Sequence, residues 1–353
     1  MDRLASLRVE RVDPHWPALV LAILLAARGL RSTSLSRSGA VAALVLGYVT
    51  LASPLRLFGT CLLGFYLAGS KATKVKSHIK ATFEEPEHPS TAKAPGPADR
   101  DVRGKALDSN HKVDGGGGRR TATQVACNAL VGSTCAILWR YLYSGEVGPS
   151  IGAWTQDDRW CVVEQFPAGD ARRASRGLIF AAVAFWSACC GDTFASELGI
   201  LAKQAPILIT RPFSGAVPRG TNGGCTAWGL VVSLAGGVYV GVVACVCLVA
   251  QGQIASCRGS SWGIELIAVA GLSGLGGSLL DSLLGALFQP TYYSVSRKLV
   301  VHSATTNRNS RDGADDKIVK IPGTAVFGPW LSNNGVNAVM GLATALVAAY
   351  FVH

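Results

Sequence analysis

Charge is scarce in this 353-residue sequence. Asp, Glu, Lys and Arg together make up 16% of it, where an ordinary soluble domain carries about 25%. That leaves too little polar surface to cover a globule of this size, which argues against a soluble enzyme. A metal-spaced cysteine set is also missing. Most of the ten cysteines lie inside apolar runs (Cys61, Cys127, Cys135, Cys189, Cys190, Cys245, Cys247) and read as small packing residues, so a disulfide-stapled secreted domain is excluded. No convincing internal repeat is present, and neither a mitochondrial-type leader nor a retention tail is evident. Acidic residues number only 22, and just four of them, Asp192, Glu197, Glu265 and Asp281, lie in or beside apolar runs.

What the chain does have is apolar length and glycine. Hydrophobic residues make up 49% and glycines number 41, about 12% against an ordinary ~7%; mean hydropathy is +0.31. These features predict an all-α, polytopic transmembrane helix bundle, a single integral membrane domain over 1–353. A hydrocarbon core about 30 Å thick needs roughly 20 apolar residues per helix. On that scale eight spans are expected: 16–30, 39–52, 54–70, 123–143, 177–191, 227–250, 262–288 and 335–352. The first, second and fifth are short, and helices near 191–200 are expected to be short or broken.

Along this path twenty-two Lys and Arg fall on one side of the membrane and nine on the other. The richer side is expected in the cytosol, with both termini opposite. An anionic leaflet explains the net charge of +11 without nucleic acid as a partner. Residues 77–118, rich in proline, charge and glycine, read as a disordered cytosolic linker loop, and 303–320 as a polar flexible loop. Multi-pass membrane localisation follows, with an endomembrane as the expected home.

A carboxylate in a span costs about 2.5–3.5 kcal/mol on insertion scales, so each one is a functional candidate. Asp192, Glu197 and Asp281 fall at the cytosolic ends of their spans; Glu265 lies near the other face, where it can reach water. At helical spacing Gly277, Asp281 and Gly285 share one line, beside Ala270, Gly274, Ser278, Ser282 and Ala286. Small residues four apart make a packing seam, or they clear space for a metal or a charged headgroup. In 191–199 Asp192 pairs with Ser196 and Thr193 with Glu197 at helical spacing. Such a set either caps a polar helix end or suits a hard, oxygen-preferring cation such as Mg²⁺.

Arg219, Gly220, Thr221, Gly223 and Gly224 form a loop that is either a Pro-Gly turn or an anion cradle with a bidentate arginine. It lacks the Gly-Lys-Ser/Thr ending of a Walker A loop. Arg119 and Arg120 open the fourth span, with Asn128 inside it, and Lys74 closes the third; such residues snorkel or bind lipid phosphates. Asn334 and Asn337 enter the last span as caps or oxygen ligands. All of these motifs meet on one membrane face, an arrangement that suits metal-assisted handling of a phosphorylated group.

Seven motifs occur in order: Leu-Ser-Arg-Ser-Gly-Ala (35–40), Gly-Ser-Lys-Ala-Thr-Lys-Val-Lys (69–76), Gly-Arg-Arg-Thr (118–121) with Gln124, Val125 and Asn128, Gly-Asp-Thr-Phe-Ala-Ser-Glu (191–197), Pro-Arg-Gly-Thr-Asn-Gly-Gly (218–224), Gly-Ser-Leu-Leu-Asp-Ser-Leu-Leu-Gly-Ala (277–286) and Asn-Asn-Gly-Val-Asn (333–337). Together they resemble the DUF92 family of transmembrane protein 19-like integral membrane proteins, over nearly the whole chain apart from 77–115 and 290–330. The plant branch of that family is similar to phytyl-phosphate kinase. The resemblance implies an isoprenyl-phosphate kinase, a phosphotransferase that uses CTP or ATP as donor with Mg²⁺ as cofactor, and whose partners are membrane lipids, an isoprenoid phosphate and the nucleotide. It makes Asp192, Glu197 and Asp281 the expected catalytic carboxylates and Mg²⁺ ligands. Lys74, Arg119, Arg120 and Arg219 with its glycine loop would hold phosphates, and Asn128, Thr193, Ser196, Ser282, Asn334 and Asn337 would assist. Phe194 stands where the family usually has Trp, a departure that bears on pocket shape. The rival expectation is a secondary transporter or lipid carrier, with broken helices at 192–193 and 281–282; a non-catalytic scaffold is a third.

Overall fold

The computed structural model of the protein describes residues 14–80, 83, 119–145, 154, 160–252, 257, 261–301 and 317–352. The helices are α1 (Trp16–Arg31), α2 (Arg37–Leu51), α3 (Leu57–Lys74), α4 (Ser77–Lys80), α5 (Ala122–Cys127), α6 (Leu130–Tyr143), α7 (Arg173–Phe194), α8 (Ala227–Ala250), α9 (Ser261–Phe288) and α10 (Asn333–Phe351). Helix therefore occupies each of the eight expected positions, but eight crossings are not confirmed. Among the described residues four helices are long and apolar enough to cross a membrane: α7 with its extension to Gly199, α8, α9 and α10. At 15 residues α2 is apolar but short. The expected 123–143 span is two helices, broken where Asn128 caps α5 and its side-chain amide donates to the Gln124 carbonyl at 2.8 Å.

Local chemistry accounts for several helix starts. Ser36, Thr226 and Ser332 each accept a hydrogen bond from the amide three residues on, at Gly39, Gly229 and Gly335, satisfying donors that a helix end leaves orphaned. Thr121 and Gln124 form a reciprocal capping box. α7 is the hub. It packs against α3, α6, α8, α9 and α10 and is buried almost throughout from Ser175 to Gly191. Its own Phe180, Phe185 and Trp186, with Phe58, Trp139 and Tyr143 from α3 and α6, are all nearly inaccessible. The outward sides of α8 and α10 instead expose Val231, Val242, Val246, Leu342, Leu346 and Val347, as lipid-facing surfaces do.

The irregularity expected near 191–200 is a five-residue π-helical turn, Ala195–Gly199, that continues α7 without a break. Such turns mark local insertions in a helix. Two small sheets, absent from the expected all-α picture, sit in the connections. β1 (Ile207–Leu208) pairs with β2 (Gly224–Cys225) antiparallel. β3 (Tyr292–Ser294) is the middle strand between β4 (Leu299–Val301) and β5 (Ile318–Lys320), both antiparallel to it. β5 takes the last three residues of the segment expected as a polar flexible loop; residues 302–316 lie outside the described residues. Likewise α4 opens the segment expected as a linker, Phe83 accepts a backbone hydrogen bond from Val300, and 81–82 and 84–118 lie outside the described residues.

The two ends of the bundle differ. At one end a Cys161–Cys257 disulfide joins the α6–α7 connection to the α8–α9 connection. There the buried Arg176 guanidinium donates to Val163 and Val352 carbonyls and pairs with Glu265. Glu265, expected to reach water, is 42% exposed and is also tied to α7. At the other end lie Asp192, Asp281, both sheets and the starts of α2, α8 and α10. That end carries the candidate site.

Candidate functional site

The site begins with how closely three helices meet. Gly191 on α7, Gly236 and Gly237 on α8 and Gly274 on α9 touch backbone to backbone. A Cβ placed on Gly191 would lie 2.7 Å from the Gly274 Cα, one on Gly274 2.7 Å from the Gly237 Cα, and one on Gly236 3.0 Å from the Gly191 Cα. Any larger residue would force the helices apart. The next residue after Gly191 is Asp192, and Asp281 lies two turns beyond Gly274. The carboxyls of Asp192 and Asp281 are thereby held close enough to interact electrostatically.

Their surroundings are asymmetric. Asn337, one turn into α10, donates its amide nitrogen to Asp281 Oδ1 at 3.0 Å and to the Asn333 carbonyl at 3.3 Å. Cys189, one turn before Asp192, is also within electrostatic reach of both carboxyls. Among the described residues no Lys, Arg or His pairs with either Asp192 or Asp281; the ion pairs are Lys80–Glu197, Arg172–Asp170 and Arg176–Glu265. Two adjacent carboxylates at a membrane helix end repel each other unless a cation or proton intervenes. The donor set fits Mg²⁺, which is commonly held by one or two carboxylates with water and phosphate oxygens filling the remaining positions.

The third expected ligand is elsewhere engaged. Glu197, in the π turn, accepts from Lys80 at 2.5 Å, and the same ammonium donates to the Ala72 and Thr73 carbonyls at the end of α3. The contact is partly buried, with Lys80 14% and Glu197 25% exposed. Among the described residues no group of three His, Cys, Asp or Glu is arranged to hold a metal. The candidate carboxylates left without a basic partner among the described residues are therefore the pair from α7 and α9, and Glu197 fastens α3 and α4 to the end of α7. Lys80 was invisible to sequence reasoning because its partner is 117 residues away.

The expected phosphate-binding loop packs directly on α9. Gly223 has a left-handed φ of +82°, and a Cβ there would meet the Ser282 carbonyl oxygen at 2.9 Å and Ala286 closer still; only glycine supplies both the turn and the close approach. Thr221 is buried and donates to the Pro218 carbonyl at 2.6 Å, and Gly224 enters β2. Ser282 hydrogen-bonds the Cys225 thiol, which burial pushes up and this contact partly offsets. The loop is thus brought to the turn of α9 that follows Asp281. Gly277 and Gly285, expected either to pack a seam or to clear space for a metal or headgroup, admit neighbours: Ala188 and Met340 at Gly277, and Asn222 with the Gly223 amide at Gly285.

The remaining expected residues scatter around this centre. Thr193 donates to the Cys189 carbonyl at 2.8 Å and Ser196 to the Thr193 carbonyl, so both hydroxyls are spent within α7 and its extension. Asn334 is half-buried on the first turn of α10. Arg120 is fixed through its backbone, which exchanges hydrogen bonds with Ser34 and Ser36; Arg119 and Lys74 are exposed and Asn128 sits at the α5–α6 break. Arg219 donates to the Lys203 carbonyl at 3.0 Å and lies over the Phe83 ring at 4.7 Å.

Similarity to other proteins agrees with this architecture. The chain is 29% identical to Protein PGR of Arabidopsis thaliana over 343 residues, which is 94% of each chain. It is 38% identical over 103 residues to Uncharacterized membrane protein MJ0933 of Methanocaldococcus jannaschii, covering 29% of this chain and 37% of that one. No solved structure matches it. Integral membrane protein DUF92 is the family whose sequence model matches residues 20–345, and the chain belongs to that integral membrane family.

Proposed function

We propose that the protein is a membrane-embedded kinase that converts an isoprenyl monophosphate, of phytyl or polyprenyl type, to the diphosphate with a nucleoside triphosphate and Mg²⁺. The observation that carries this reading is the Asp192–Asp281 pair. Two carboxylates from different helices lie within electrostatic reach of each other without a basic partner among the described residues, with the amide of Asn337 on Asp281 and a glycine loop packed on the following turn of α9. Asp281 lies about 10 Å from the midpoint of α9, so it sits near one edge of a hydrocarbon core about 30 Å thick. A lipid-borne phosphate and a soluble nucleotide can both reach that depth.

The chemistry needs little from covalent catalysis. An oxygen of the acceptor phosphate bonds to the terminal phosphorus of the nucleotide, the bond from that phosphorus to its bridging oxygen breaks, and the diphosphate nucleotide leaves. With a dianionic acceptor the charges balance without a proton moving. Mg²⁺, when held by Asp192 and Asp281, would supply neutralisation of phosphate charge. Asn337 orients Asp281, the 218–224 loop supplies Arg219 as a cation for phosphate while its Thr221, Asn222 and Gly224 amides hold the loop in shape, and the N-termini of α2, α8 and α10 add positive dipole ends at the same side. Two observations support a cytosolic face for the site: the basic residues crowd this end, and the disulfide lies at the other, as disulfides do in oxidising compartments.

The transporter reading anticipates helices broken at its acidic residues. Both α7 at Asp192 and α9 at Asp281 are continuous, which favours the kinase. The test uses purified protein in detergent with γ-labelled CTP or ATP, phytyl or geranylgeranyl monophosphate and Mg²⁺. Labelled diphosphate is expected from wild type. Asp281→Asn keeps the side-chain shape but removes a charge from the pair, and a loss of about 10²–10³-fold is expected. Full activity in a folded Asp281→Asn protein would sink the assignment.

A further inference from the structure

Beyond the carboxylate pair, a cavity of about 270 Å³ lies in the cap formed by the sheets and loops, lined by Phe83, Lys203, Ala205, Val217, Pro218, Arg219, Tyr293 and Lys298. We infer that this cavity is the binding site for the nucleoside triphosphate, with Lys203, Arg219 and Lys298 holding its phosphates and Tyr293 flanking its base. The inference rests on the kinase reading for the identity of the nucleotide, but the cavity itself is argued from its own residues.

Three cations converge there from distant parts of the chain: the segment after the π turn, the Pro-Arg-Gly loop and the β3–β4 turn. Among the described residues no carboxylate lines the cavity, and neither the Lys203 nor the Lys298 ammonium has an ion-pair partner. Like charges gathered without a counter-charge are unfavourable until an anion joins them, and a phosphate chain is an anion of matching extent. The walls are also built in advance. Arg219 is held between the Lys203 carbonyl at 3.0 Å and the Phe83 ring at 4.7 Å. Phe83 is anchored in turn by the Val300 amide at 3.0 Å, and Lys298 sits at a left-handed φ of 55° in a turn closed by its own amide to the Ser294 carbonyl.

Position argues for a soluble ligand over a lipid headgroup. The lining comes from loops and β3, beyond the ends of α7, α8 and α9, and includes no residue of a membrane-length helix. Arg219 and Gly223 belong to one loop, so the segment that grips phosphate in the cavity is the one seated on α9 beside Ser282. The aromatic ring of Tyr293 gives a base a face on which to stack, a contact worth about 1–3 kcal/mol for nucleic-acid bases on aromatic side chains.

The test is equilibrium binding of CTP and ATP to the purified full chain in detergent, without acceptor, beside inorganic triphosphate and vesicles containing phosphatidic acid. Nucleotide binding by wild type is expected, weakened about tenfold by Lys203→Ala and again by Lys298→Ala, with Tyr293→Leu weakening nucleotide but not inorganic triphosphate. Thermal unfolding and a monodisperse elution profile establish that each variant is folded. No nucleotide binding by wild type overturns the inference, as does unchanged affinity in the folded Lys203→Ala/Lys298→Ala protein. Binding of phosphatidic acid vesicles in place of nucleotide, lost in the same variants, also overturns it and makes the cavity a lipid-phosphate site. Because Asp281→Asn is assayed alongside, the two readings separate. Nucleotide binding without transfer upholds the cavity and refutes the kinase; transfer with an unaltered nucleotide KM in the double variant does the reverse.

Discussion

Replacing Gly191 by Ala should damage both stability and chemistry, because one added methyl acts on the helix contact that positions the carboxylate pair. That Cβ would lie 2.7 Å from the Gly274 Cα, while ordinary contact begins at 3.4 Å. The neighbour is backbone, with the Gly274 carbonyl oxygen closer still than its Cα, so no side chain can swing aside and α7 and α9 must part by at least about 0.7 Å. Overpacking of this kind costs about 1–3 kcal/mol. Since Asp192 is the next residue, the displacement passes directly to the Asp192–Asp281 pair, and misplacing reacting groups by about 1 Å costs on the order of 10²-fold in rate. A loss of roughly ten- to a hundredfold is therefore expected in the diphosphate-forming assay, with a lower Tm in detergent. Gly276→Ala is the control. It lies on the same α9, and nothing stands within 4 Å of its Cβ position, so better helix propensity, about 1 kcal/mol, should leave Tm equal or higher and activity unchanged. Wild-type Tm and rate in Gly191→Ala, or equal losses in both variants, would refute the reasoning.

Two further predictions concern the far end of the bundle. Arg176→Ala removes a buried donor from the Val163 and Val352 carbonyls as well as from Glu265, each an orphaned group worth about 1–3 kcal/mol; Glu265→Gln keeps an acceptor, and the Glu265 side chain is 42% exposed. Thermal unfolding should rank Arg176→Ala well below Glu265→Gln, and the opposite order would show that the charge pair alone matters. The Cys161–Cys257 bridge should shield both thiols until reduction, after which a membrane-impermeant maleimide should label them only from the non-cytosolic side; labelling from the cytosolic side would invert the proposed orientation.

Membrane residence and the helix positions were legible in the sequence because each is a local property. Apolar length locates a helix whatever it packs against, and Ser36, Thr121, Thr226 and Ser332 announce their helix starts within three residues. Asp192 and Asp281 were also legible, since an acid in an apolar run stands out against its immediate neighbours. The same window read Glu197 as their equal, and the fold separated it from them by supplying Lys80 from another part of the chain. It likewise could not distinguish glycines that clear a site from glycines that pack one; that depended on whether Ala188, Met340 or the 218–224 loop came to lie opposite. The 290–330 region looked featureless because its strands are three residues long and gain order only by pairing. Lys203, Lys298 and Phe83 look like solvated or linker residues until their three segments meet. The chain alone therefore determined what must be buried in lipid and which residues were chemically out of place there. Which of them share a centre was decided by tertiary contacts, because a carboxylate's role is set by the charge brought beside it, and those charges lie up to a hundred residues and more away in sequence.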